Sequence, residues 1–257
     1  MVFPQFVLLF FVAILAGTLN AVAGGGSFFT VPTMIFSGML PVLANTTSTV
    51  ALWPGAAASI GAYRRELAQI HRRLLFLLVS TSLIGGILGA VLLLHTPQKT
   101  FAHLLPYLLL MATLLFSLSG SITKRLRARN IGEEAHLSVS TIICVSIAQF
   151  IIAIYGGYFG GGIGILMLAT LALMGLENIH SMNALKVLLN ASINGVAVIT
   201  FIIANAVVWP QAILMIIGAI IGGYGGAYFA RKIEQKWIRS FVMVVGFAMT
   251  IYFFIRP

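Results

Sequence analysis

Residues 24–49 read GGGSFFTVPTMIFSGMLPVLANTTST, and residues 160–187 read GGGIGILMLATLALMGLENIHSMNALKV. Each stretch opens on a glycine run and continues as an apolar arm. Each then turns and starts a helix near an asparagine, Asn45 in the first and Asn183 in the second. Gly26 to Asn45 is 19 positions and Gly162 to Asn183 is 21. A helix needs about 20 residues to cross a hydrocarbon core of about 30 Å. The arms, 27–40 and 162–176, are too short to cross comfortably.

The surroundings are equally apolar. Of 257 residues, 60 % are hydrophobic and 8 % charged, with a mean hydropathy of +1.06. A soluble domain carries about 25 % charged residues, so this chain cannot cover a water-facing surface. The first charged side chain is Arg64, His136 to Leu176 carries none, and between Glu177 and Arg231 only Lys186 is charged. Such runs read as membrane-embedded. Ten apolar segments emerge: 4–22, 27–40, 43–63, 74–95, 101–122, 137–156, 162–176, 181–205, 211–230 and 240–256. The first ends in Ala-Val-Ala, a signal-peptidase-like site. No basic residue precedes it, so it is read as a retained segment.

The net charge of +10 sits in three clusters between segments: Arg64, Arg65, Arg72 and Arg73; Lys124, Arg125, Arg127 and Arg129; and Arg231, Lys232, Lys236 and Arg239. That layout follows the positive-inside rule and argues against a nucleic-acid partner. Two segments separate the first two clusters and four separate the last two, so all three can share the cytoplasmic side of the inner membrane. Both termini are then expected outside. The expected fold is an all-α integral membrane protein. It has two inverted five-segment repeats with glycine-broken, short or re-entrant arms: 1–123, a basic linker 124–136, and 137–257. Five is odd, so the second half enters from the opposite face, as in many carriers. Chance similarity between glycine-rich apolar stretches is the alternative.

At these residues the chain resembles the TauE/SafE (TSUP) sulfite-exporter family. The likeness rests on the Gly24–Gly26 arm with Val31-Pro32 and on Ala44-Asn45-Thr46. It rests also on the second glycine arm and on Met182-Asn183-Ala184-Leu185-Lys186 leading to Asn190 and Asn194. It runs from about Gly17 to Arg239. The resemblance implies transport of small anions, often sulfur-containing ones such as sulfite or sulfonates. An anion channel or a non-transporting membrane subunit is the alternative.

An anion crossing hydrocarbon needs donors to replace its water. Backbone amides at broken helix ends supply them, with a favourable dipole. Gly24, Gly25, Gly26, Gly160, Gly161 and Gly162 are therefore candidate substrate-binding positions; close helix packing is the other reading. On helix 181–205, Asn183, Asn190 and Asn194 fall within about 40° of one another, with Lys186 within about 80° of the farthest. Lys186 either holds the anion or snorkels to the cytoplasmic interface. On helix 43–63, Asn45 and Ser48 are candidate contacts, while Thr49 and Ser59 can back-bond to their own helix. Pro54 is expected to bend it. Asn20 and Tyr158 are further donors beside the two glycine runs.

Other chemistry has no foundation in the sequence. There is no Asp, and Glu66, Glu133, Glu134, Glu177 and Glu234 lie in or beside loops. The five histidines lack metal-ligand spacing, and the single Cys144 permits no internal disulfide. No catalytic residue, cofactor or metal is expected. A homodimer through Gly218, Gly222 and Gly226 is one use of that small-residue face; contacts within one chain are another.

Overall fold

The computed structural model describes residues 3–22, 25–129, 139–172, 179–230 and 235–255. They form eleven α-helices, with no strand among the described residues. In chain order these are α1 (Phe3–Val22), α2 (Ser27–Phe36), α3 (Pro41–Ile60), α4 (Arg64–Ala68), α5 (Arg72–His95) and α6 (Gln98–Arg129). The second half holds α7 (Val139–Tyr158), α8 (Ile163–Ala172), α9 (Ile179–Ile203), α10 (Trp209–Ala230) and α11 (Gln235–Ile255). All but the short α4, which follows a single 3-10 turn, overlap the ten apolar segments.

Two helix ends differ from the sequence reading, for physical reasons. α6 extends through Arg129, so Lys124 to Arg129 continue a helix rather than a linker; basic side chains suit a helix C-terminus. α2 stops at Phe36 because Gly38, at φ +87°, turns the chain, with Met39 N–H donating to Met34 C=O at 3.1 Å. α3 is helical through Pro54. α9 ends as α2 does, on Asn205 at φ +53° with Ala206 N–H bonded to Phe201 C=O at 3.0 Å.

Membrane character shows in what faces outward. Among the described residues Arg72–His95, Gln98–Leu118 and Ser181–Ile203 are each long and apolar enough to cross a bilayer. Exposed stripes recur every three or four residues: Ile143, Ile147 and Ile151 on α7, and Val244, Phe247 and Ile251 on α11. Large apolar side chains turned outward at helical spacing suit lipid, not water. The arms behave oppositely. Phe28, Val31 and Met34 of α2, and Ile163, Met167 and Leu171 of α8, are buried. Broken backbone at membrane depth survives only when protein covers it.

Without a hydrophobic drive between helices in lipid, association depends on close approach. The most extensive contacts are α1 with α10 and α5 with α7. Gly17 lies against the Ala219 backbone and Gly222 against the Ile14 carbonyl, while Thr18 Oγ1 donates to Gly222 C=O at 3.0 Å. Gly157 meets the Gly86 carbonyl, and Gly89 meets that of Ile154. A Cβ at Gly218 would stand 2.8 Å from Phe10 C=O. Gly218 and Gly222 are thus used within the chain rather than by a second copy; the Gly226 side of the helix lies outside the described side chains.

Candidate functional site

The second glycine run breaks the chain between α7 and α8. Phe159 N–H and Gly160 N–H both donate to Tyr155 C=O, at 2.9 and 3.3 Å. Gly160 and Gly162 then take φ of +80° and +74°, conformations that a Cβ disfavours. Ile165 N–H returns to Gly162 C=O at 3.1 Å. The amides of Gly161, Gly162, Ile163 and Gly164 donate to no described group. These are the orphan donors of a helix start, where the dipole is positive.

The polar face of α9 lies along this break. A Cβ on Gly164 would sit 3.4 Å from Lys186 Cδ and 3.8 Å from its Cγ. A Cβ on Gly160 would sit 3.7 Å from Asn194 Oδ1. Glycine at both positions leaves the space these side chains use. The Lys186 stem therefore packs on α8, and the residue is only partly exposed. It makes no hydrogen bond or ion pair with any described residue. Asn194 Nδ2 donates to Asn190 C=O and Asn190 Oδ1, each at 2.9 Å. The expectation of three donor asparagines narrows accordingly. Asn183 and Asn190 keep uncommitted amide donors, whereas Asn194 turns its oxygen toward the break.

From the first half, α3 reaches the same place. Asn45, 2 % exposed, donates from Nδ2 to Tyr158 C=O at 3.0 Å, while its Oδ1 is buried without a partner. The next three side chains fasten three other partners. Thr46 Oγ1 donates to Ala206 C=O, Thr47 Oγ1 accepts from Val208 N–H at 3.1 Å, and Ser48 Oγ pairs with Thr30 Oγ1 at 2.6 Å. Ser48, 1 % exposed, thus holds arm α2 instead of lining open space. Thr49 and Ser59 back-bond to Asn45 C=O and Gly55 C=O.

The first break is built differently. Gly25 has φ +96°; Gly24 lies outside the described residues. Gly26 packs against α1, where a Cβ would stand 2.7 Å from Ala16 C=O. Asn20 is partly buried and bonded to no described group. The structure thus gathers Asn45, Tyr158, Gly160, Gly161, Gly162, Lys186, Asn190 and Asn194 around the second break. It does not bring Asn20, Gly25, Gly26 or Ser48 to it.

Sequence reasoning missed three supporting residues. Tyr155 Oη donates to Gly161 C=O at 2.8 Å, Trp53 Nε1 donates to Ala191 C=O at 3.0 Å, and Thr30 holds Ser48. Tyr155 and Thr30 do flank glycine runs. Donors in apolar helices usually satisfy local backbone, so that proximity carried little weight.

A family model described as "Sulfite exporter TauE/SafE" matches residues 9–253. The chain is 28 % identical to "Probable membrane transporter protein YfcA" of Escherichia coli (strain K12), over 94 % of this chain and 87 % of that one. It is 27 % identical to a "Probable membrane transporter protein" of Haemophilus influenzae, over 95 % and 92 %. It is 28 % identical to "Probable membrane transporter protein ORF9" of a Sinorhizobium species, over 97 % and 92 %. No solved structure matches the chain significantly. A multi-pass helical chain with two glycine-broken arms, matched over nearly its whole length, belongs to the sulfite exporter TauE/SafE family of membrane transporters.

Proposed function

We propose that this protein carries small anions, sulfur-containing ones such as sulfite or a sulfonate, across the inner membrane by alternating access. The single observation that carries the reading is the α8 start. Among the described residues, four backbone amides without acceptors stand beside a lysine without a counter-ion. A half-buried cation that lacks a partner is costly, and an anion supplies one. Lys186 would hold the charge, with Asn190 and the Gly161–Gly164 amides donating hydrogen bonds.

Alternating access draws support from the contact pattern. Exchanging α1, α2, α3, α5 and α6 with α7, α8, α9, α10 and α11 turns one set of helix contacts into the other. α1–α10 becomes α7–α5, α3–α10 becomes α9–α5, α2–α3 becomes α8–α9, and α2–α11 becomes α8–α6. That is the pairing expected of two inverted repeats. The strongest pairs join opposite halves, so the moving bodies would be the composites α1–α10 and α5–α7 rather than the halves themselves.

The test is uptake by purified protein in liposomes, with sulfite, thiosulfate, sulfonates and chloride compared. Saturation and counterflow are expected for at least one sulfur anion, and Lys186→Ala should abolish them while still inserting. Flux that never saturates would replace the carrier with a channel; undiminished uptake by Lys186→Ala would return that residue to the interface.

A further inference from the structure

The other side of the same break has the opposite polarity. Where α7 ends, acceptors outnumber donors. Tyr155 C=O takes both Phe159 N–H and Gly160 N–H, leaving Gly156 C=O and Gly157 C=O with no described donor. Both glycines are buried. The Gly156 oxygen lies 3.3 Å from where a Gly160 Cβ would stand, so it points into the turn. Asn194 Oδ1 faces Gly160 and accepts from no described group. The Asn45 carboxamide is anchored on Tyr158 C=O, and its oxygen is buried and unpartnered. The anchoring fixes the orientation. Turning the amide over would set two oxygens against each other and lose the only hydrogen bond it makes.

Buried polar atoms without partners are rare, and each calls for an explanation. Here the buried Asn45 Oδ1, the Asn194 Oδ1 facing Gly160 and the Gly156 C=O that points into the turn come from three helices to one helix C-terminus, whose dipole is negative. All are neutral carbonyl-type oxygens, which suit a hard cation. Glu66, on α4, is the only carboxylate among the described residues. A divalent ion would be poorly neutralised; a monovalent one fits.

We infer that the α7–α8 turn is a sodium site, with Asn45 Oδ1, Asn194 Oδ1 and Gly156 C=O as its oxygen donors. One broken helix then serves two ions: its C-terminal stump the cation and its N-terminal stump the anion. Opposite charges placed side by side in low dielectric favour each other's binding. Coupling to anion movement rests on the transport reading; the cation site itself rests on the turn alone.

Two measurements separate these. Purified protein without any substrate anion is melted in sodium, potassium or choline chloride at equal ionic strength. Sodium should raise Tm in a saturable manner that choline does not reproduce. Asn45→Ser and Asn194→Ala should raise the half-saturating sodium concentration about tenfold or more, each compared with its own melt in choline so that a general loss of stability is subtracted. Identical melts in all three salts, or a sodium effect untouched in both variants, would overturn the site and leave the anion reading intact. If sodium binds, counterflow of the sulfur anion in liposomes, with and without a sodium gradient, tests the coupling; indifference to the gradient would refute it.

Discussion

At Lys186 and Ser48 the two halves put different chemistry in the same slot of the repeat. Ser48 is paired at 2.6 Å with Thr30 and shut away. Lys186 lies on Gly164 with no partner among the described residues. Thr30 can also donate to Gly26 C=O at 3.3 Å, so losing Ser48 leaves it an alternative. Ser48→Ala should therefore cost about 0.5–1.5 kcal/mol of stability, read as a lower Tm, with substrate affinity little changed. Lys186→Ala should show the reverse, an unchanged or higher Tm with uptake lost, because removing an unpaired, half-buried charge relieves the protein. If both variants lost stability alike, Lys186 would be structural.

At the scale of elements, glycines divide into two kinds. Gly25, Gly160 and Gly162 supply left-handed backbone at the breaks. Gly86, Gly89, Gly157 and Gly222 let helices touch backbone to backbone. Gly61 has nothing within 4 Å of where a Cβ would stand. Gly157→Leu and Gly222→Leu should force their helix pairs apart at a cost of about 3 kcal/mol or more, seen as reduced yield and Tm. Gly61→Ala should change stability by less than about 0.5 kcal/mol. Equal tolerance at all three positions would refute the close-packed α1–α10 and α5–α7 pairs.

At the scale of the whole molecule, α3 is the fastening between the halves. Asn45, Thr46, Thr47 and Trp53 each bond a residue of the second half. Under the positive-inside rule the basic clusters at 64–73, 124–129 and 231–239 predict one cytoplasmic face and external termini. A reporter fused after Pro257 that works only outside the cell should be active; activity only in the cytoplasm would invert the proposed orientation.

Sequence alone determined the helical membrane class, the approximate extent of the ten longer helices, the glycine breaks and the polar face of α9. All follow from local properties: apolar length, glycine's freedom at positive φ, and the helical angle between residues. It did not determine which donors are already taken. Asn194 and Asn190 look alike in a helical projection, yet one carboxamide is consumed by the other. Asn45 and Ser48 are candidates in the sequence, but their partners, Tyr158 C=O and Thr30, are 113 and 18 positions distant. Packing decides such pairings, because a buried amide or hydroxyl bonds whatever the fold brings within about 3 Å, and chain order does not record that.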